Sequence, residues 1–136
     1  MTKQMVSFNG IIMAIFTPII IALGGWDVVL QVLVSLVVMD YLTGVTVAIL
    51  NKSLSSEVGY KGLIKKVFIF AMVYVSVLVD KATNADVFRT MTILFYIANE
   101  GISVLENGGK LGVPYPEALK NVLIQLKDKN NGGATK

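Results

Sequence analysis

Between Val28 and Leu50 the chain reads VVLQVLVSLVVMDYLTGVTVAIL, 23 residues whose only charge is Asp40. At about 1.5 Å per residue such a helix covers the hydrocarbon core of a bilayer, and Asp40, its thirteenth residue, falls at mid-depth. A carboxylate there costs about 2.5–3.5 kcal/mol to insert, so it is expected to face a bundle interior or a water-filled cavity. The alternative is a protonated Asp40 that hydrogen-bonds a neighbouring helix and serves only to hold it. Four residues beyond, Gly44 and Ala48 stand in a small-xxx-small arrangement that lets another helix approach, with Thr43 beside them.

The rest of the chain fits this reading. Of 136 residues 54% are hydrophobic and only 15% charged, against roughly 25% charged in a soluble domain. The mean hydropathy is +0.69. The sequence therefore predicts one small all-α integral membrane domain over residues 1–136. With no Cys and no His, the usual zinc, thiol and imidazole chemistries are absent and only carboxylates, hydroxyls and amines remain as possible catalysts. Asp40 and Glu100 could form a carboxylate pair, but there is no second Asp motif of the kind a membrane aspartyl protease needs, so no metal site, cofactor or enzymatic activity is expected. The net charge of +3 does not indicate nucleic acid, because the Lys residues gather at the ends of apolar segments, where membrane topology places them.

Three further spans accompany 28–50. Residues 6–25 lack any charge, contain Thr17-Pro18 as an expected kink, and lead through Gly24-Gly25-Trp26-Asp27 into the second span as a hairpin with Trp26 at the interface. Residues 63–80 form a short third span, if Lys65 and Lys66 snorkel from its cytoplasmic end. Residues 87–105 form a fourth that hydropathy alone would reject, since it carries Arg89, Asn99 and Glu100. Ser55 or Ser56 is placed to cap a helix entering the third span. An amphipathic helix at 115–128, with Leu119, Val122, Leu123 and Leu126 on one face, and a disordered tail at 129–136 complete the chain.

With four crossings, ten of the twelve basic residues fall on one side and only Lys81 and Arg89 on the other, which places both termini in the cytoplasm. A three-span version, with 87–105 on the surface, would put the C-terminal Lys cluster outside. At about 100° per residue, Arg89, Thr92, Tyr96, Asn99, Glu100, Ser103, Glu106 and Asn107 share one arc of the fourth span. Such a stripe cannot face lipid. It meets the other helices of the monomer, other copies, or water. Asp40, Glu100 and Glu106 lack a basic partner at their own depth in this reading, which favours water, so Asp40, Thr43, Arg89, Thr92, Tyr96, Asn99, Glu100 and Ser103 are the candidate lining residues and Gly44 and Ala48 the packing residues.

Three blocks then occur in order: Asp40-Tyr41-Leu42-Thr43-Gly44; Ser56, Gly59 and Gly62 ending in Lys65-Lys66; and Asn99-Glu100 with Ser103, Glu106-Asn107, Gly112, Pro114 and Pro116. Together they resemble the phage-lysis and toxin-secretion holins over about residues 40–126. The resemblance implies a multi-pass protein that homo-oligomerises in the bacterial cytoplasmic membrane and opens timed lesions for an endolysin or a toxin. A small ion channel or transporter subunit would use the same buried acids, but the sequence holds no selectivity filter and no inverted repeat.

Overall fold

The structure, a computed structural model, describes residues 2–131, with side chains from Ser7 onward. Its five helices are α1 (Thr2–Ala22), α2 (Val28–Leu50), α3 (Ser56–Thr83), α4 (Phe88–Lys110) and α5 (Glu117–Asn130), and among the described residues there is no strand. Two of them, α2 and α3, are long and apolar enough to cross a membrane, and the stretch Ser7–Ala22 within α1 is apolar as well.

Local chemistry sets the ends. Asp27 caps α2 by accepting the Leu30 amide at 3.1 Å, and Ser55 caps α3 by accepting that of Val58 at 3.2 Å. The third helix is 28 residues long, ten more than the expected 63–80; that cap and the exposed Glu57–Lys61 pair one turn apart support the seven added at its polar start, and three more, 81–83, extend its end. Asn84 ends α3 in the left-handed conformation. The fourth helix has no side-chain cap of its own; the Asp80 carboxylate of α3 accepts the Phe88 and Arg89 amides instead, both at 2.9 Å. Helix α1 continues through Pro18, and Gly24 and Gly25, both at positive φ, turn the chain into α2. Lys129 and Asn130 belong to α5, and the remainder of the expected tail, 132–136, lies outside the described residues.

Helix α4 is the centre, with α2 and α3 on one side and α5 on the other. The core joins Leu30, Leu33 and Val37 of α2, Ile69 and Val73 of α3, and Ile93 and Ile97 of α4, closed by Leu23 from the turn. Residues 7–19 of α1 are exposed on every face. The outer surface of α1, α2 and α3 is apolar: Phe8, Met13, Val28, Leu42, Phe68 and Val75 are among many large apolar side chains pointing outward, while Glu100, within a mostly apolar interior, is 2% exposed. Water would penalise that distribution on both counts, whereas a hydrocarbon solvent would favour it.

Candidate functional site

Among the described residues, charged side chains gather in two clusters within the bundle, one in its middle and one at the α1–α2 turn. In the first, Lys66 of α3 points inward and its Nζ donates to Asp40 Oδ2 of α2 and, at 2.5 Å, to Glu100 Oε2 of α4. Asn107 of α4 extends the cluster: its Nδ2 donates to Asp40 Oδ1 and to Thr43 Oγ1, each at 2.9 Å. The Thr43 hydroxyl donates in turn to the Met39 carbonyl of its own helix. Three helices thus meet on one ammonium. Little water reaches it, since the side chains of Lys66, Asp40 and Glu100 are 15%, 14% and 3% exposed.

Lys66 overturns two expectations. It does not snorkel toward the cytoplasmic end, and it is the base that Asp40 and Glu100 were expected to lack. The reason is register: Gly62, Lys66, Ile69 and Val73 follow one another on the face of α3 that meets α2 and α4, so Lys66 turns inward and its neighbour Lys65 stays exposed. Small residues let the helices approach around the cluster. A Cβ added to Gly44 would lie 3.7 Å from Asn107 Nδ2, and Cβ atoms on Gly59 and Gly62 would each lie 3.6 Å from the ring or hydroxyl of Tyr41. Ala48 is buried, so both candidate packing residues face the bundle interior.

The second cluster is built around Arg89. Its Nε donates to the Leu23 carbonyl at 2.6 Å, Nη1 to Asp27 Oδ2 at 2.7 Å, and Nη2 to the Gly25 carbonyl and Asp27 Oδ1, both at 3.1 Å. One planar fork ties the α1–α2 turn to the start of α4. The Arg89 hydrogen bond is the main cause holding the Asp27 carboxyl below its ordinary value of 3.8. Gly24 is required there twice over, by its φ of +90° and because a Cβ would stand 2.4 Å from Arg89 Nε.

The remaining stripe residues divide among different surroundings. Asn99 turns to α5, where its Oδ1 accepts from Lys127 Nζ at 3.0 Å, and Ser103 donates to the Asn99 carbonyl of its own helix. Thr92 and Tyr96 line a groove between α3 and α4 with Ser76, and Tyr96 meets Phe95 edge to face. Glu106 is exposed. Lining of water by Arg89, Asn99 or Glu100 would therefore require contacts within the chain to break. Sequence reasoning missed Lys66, Asp27, Asp80 and Lys127 as partners, and assigned Asn107 to the stripe without its link to Asp40. Among the described residues no group of His, Cys, Asp and Glu is arranged to hold a metal ion.

Comparison with known proteins identifies the family. The model of a bacteriophage holin family matches residues 14–128, from within α1 to near the end of α5. An uncharacterized protein of Clostridium perfringens is 44% identical over 110 residues, which cover 79% of this chain and 82% of that relative. A protein described as a probable holin in Bacillus phage phi105 is 33% identical over 103 residues, 75% of this chain and 76% of its own length. No solved structure matches. A family match spanning all three helices that meet at Lys66 establishes that this chain belongs to the bacteriophage holin family.

Proposed function

We propose that the chain acts as a holin in the bacterial cytoplasmic membrane, where copies of it assemble and at a set time open lesions that release a cytoplasmic endolysin, or a toxin. The observation that carries this reading is an apolar outer surface around an internal charged cluster: large apolar side chains point outward, and Asp40, Lys66, Glu100 and Asn107 are joined between the helices. Neutralising charges in the interior lets a helix as polar as α4 sit beside α2 and α3 at membrane depth. No covalent chemistry is needed.

Four crossings by α1 to α4, with both termini cytoplasmic while α5 is undocked, fit the basic residues at the two ends of these helices. The Arg89–Asp27 cluster and Lys81 mark one end; Lys52, Lys61 and Lys110 mark the other. Moving one charge across 100 mV involves about 2.3 kcal/mol, which summed over an assembly is enough to bias a two-state opening. The two polar clusters act here as internal fastenings. Breaking a buried ion pair such as Lys66–Glu100 costs about 3–5 kcal/mol, so assembly with that cluster intact is the less costly route.

Induced expression in a bacterium that also produces a cell-wall hydrolase tests the reading. Lysis should follow abruptly after a lag and require the hydrolase, whereas a selective channel would depolarise the cells gradually without releasing it. Reporters active only in the cytoplasm should function when fused at Thr2 and after Lys136. An external C-terminal reporter with an internal N-terminal one would overturn the four-span topology while leaving the holin activity to be judged by lysis.

A further inference from the structure

Helix α5 lies antiparallel along α4. Tyr115 meets Gly109, Leu123 fits so closely against Gly101 that an added Cβ would stand 3.0 Å from its Cδ1, and Lys127 reaches Asn99. Gly101 and Asn99 flank Glu100, which joins Lys66 and Asp40 on the opposite side of α4. Leu123 and Lys127 are therefore level with Asp40, which stands thirteen residues from the start of α2 at Asp27 and eleven from its end at Asn51. At about 1.5 Å per residue these are some 20 and 16 Å, well inside a hydrocarbon core about 30 Å thick.

The outward face of α5 does not suit that depth. Leu123, Leu126 and Lys127 are half-buried toward α4, and the face opposite them carries Asn121, Gln125, Asp128 and Lys129, all exposed. Lipid cannot solvate that face, and among the described residues it is exposed, with α4 the helix against which α5 packs. If α4 is immersed, a docked α5 demands water on its outer side.

Resting on the holin reading, we infer that α5 is the water-lining element of the open assembly: docked along α4, it turns Asn121, Gln125, Asp128 and Lys129 toward a hydrated lumen enclosed by copies of the chain. The inward polar residues of α4 stay bonded to Lys66 and Lys127. Before assembly α5 rests undocked at the cytoplasmic surface, as its amphipathic pattern allows. Two features make it separable. None of its residues is fully buried, and Gly112, with φ of +78°, lies in the connection that would swing it.

The test uses the full chain in phosphatidylethanolamine–phosphatidylglycerol vesicles loaded with dye. Gly101→Cys with Leu123→Cys places a disulfide across the α4–α5 contact, since the shortened side chain at 123 vacates the space that the new Cβ enters. The protein has no other Cys. The oxidised variant should form the bridge within one chain and release dye at least as fast as its reduced form. Leucine at Asn121, Gln125 and Asp128 together should reduce release to the level of protein-free vesicles while α-helix content is retained. Oxidised protein that seals the vesicles until reductant is added would make α5 a cover and overturn the inference. Failure of the bridge to form, or unchanged release by the leucine variant, would overturn it equally. Absence of release by the parent protein would instead reject the holin reading on which it rests.

Discussion

Lys66→Met is expected to abolish lysis and to lower the stability of the helix bundle by about 3–5 kcal/mol, the cost of leaving a buried charge without its partner. The effect is large because one ammonium serves two carboxylates: Lys66 bonds both Asp40 and Glu100, and Glu100 is 3% exposed at its side chain. Methionine keeps roughly the volume and removes the charge together with the ammonium donors. Two acids then face each other with Asn107 as the remaining donor to Asp40. Like charges without a counter-ion repel, so the helices separate to find water and the junction of α2, α3 and α4 is disrupted.

Asp40→Leu is a smaller perturbation, since it leaves Lys66 and Glu100 as a one-to-one pair. It should insert as well as the parent but delay lysis. Removing all three charges together, by Asp40→Asn, Lys66→Met and Glu100→Gln, should recover most of the stability lost in Lys66→Met, because a neutral cluster of similar shape needs no counter-ion. Unfolding in detergent micelles and the time of lysis at matched membrane levels measure both effects. Parental timing and stability in Lys66→Met would show that the cluster does not hold the bundle together.

That Lys66 carries this weight could not be read from the chain, and the reason is specific. Lys65 and Lys66 look alike at the edge of an apolar segment, and both were expected to snorkel. They differ by one step of about 100°, and α3 is apolar on all sides, so periodicity does not say which face is inward. The only trace is Gly59 and Gly62, small residues that mark the face approached by Tyr41 and that lead by a helical step to Lys66. Asp40 and Glu100 were legible because a charge within an uncharged run stands out by itself. The stripe of α4 was legible too, but its partners were not: Glu100 and Asn107 turn to α2 and α3, Asn99 turns to α5, and Arg89 turns to a loop 62 residues away at Asp27. A helix surrounded on three sides can distribute one polar arc among several neighbours, which a helical wheel cannot display. For α5, the expected apolar face included Leu119 and Val122, both of which are exposed, while Lys127 turns inward to Asn99 and lies 5.9 Å from the Phe95 ring.

Arg89→Gln is expected to free the α1–α2 turn from α4, at a cost on the order of 3 kcal/mol, because the Leu23 and Gly25 carbonyls and the Asp27 carboxylate lose a shared donor. Arg89→Lys should recover little of this, since a single ammonium cannot reproduce a fork that reaches three residues. Much of the loss comes from the carbonyls; the ion-pair part is discounted because the Asp27 side chain is 48% exposed. Asp27 supplies a second readout that misfolding alone would not give. Its carboxyl is held below 3.8 in the folded chain, chiefly by Arg89, so the folded state binds fewer protons there than the unfolded state. The sign follows from linkage: this contribution is fully present above the unfolded value and is lost as pH falls through the lowered folded one. Parent protein in micelles should thus lose part of its stability on acidification below about pH 4, and Arg89→Gln should lose less over the same interval because it has less to lose. Equal acid profiles for the two proteins, together with equal stability at neutral pH, would mean that the fork does not hold the turn. A destabilised variant with a flattened acid profile is the expected pair of results, and only a working Arg89–Asp27 contact produces both.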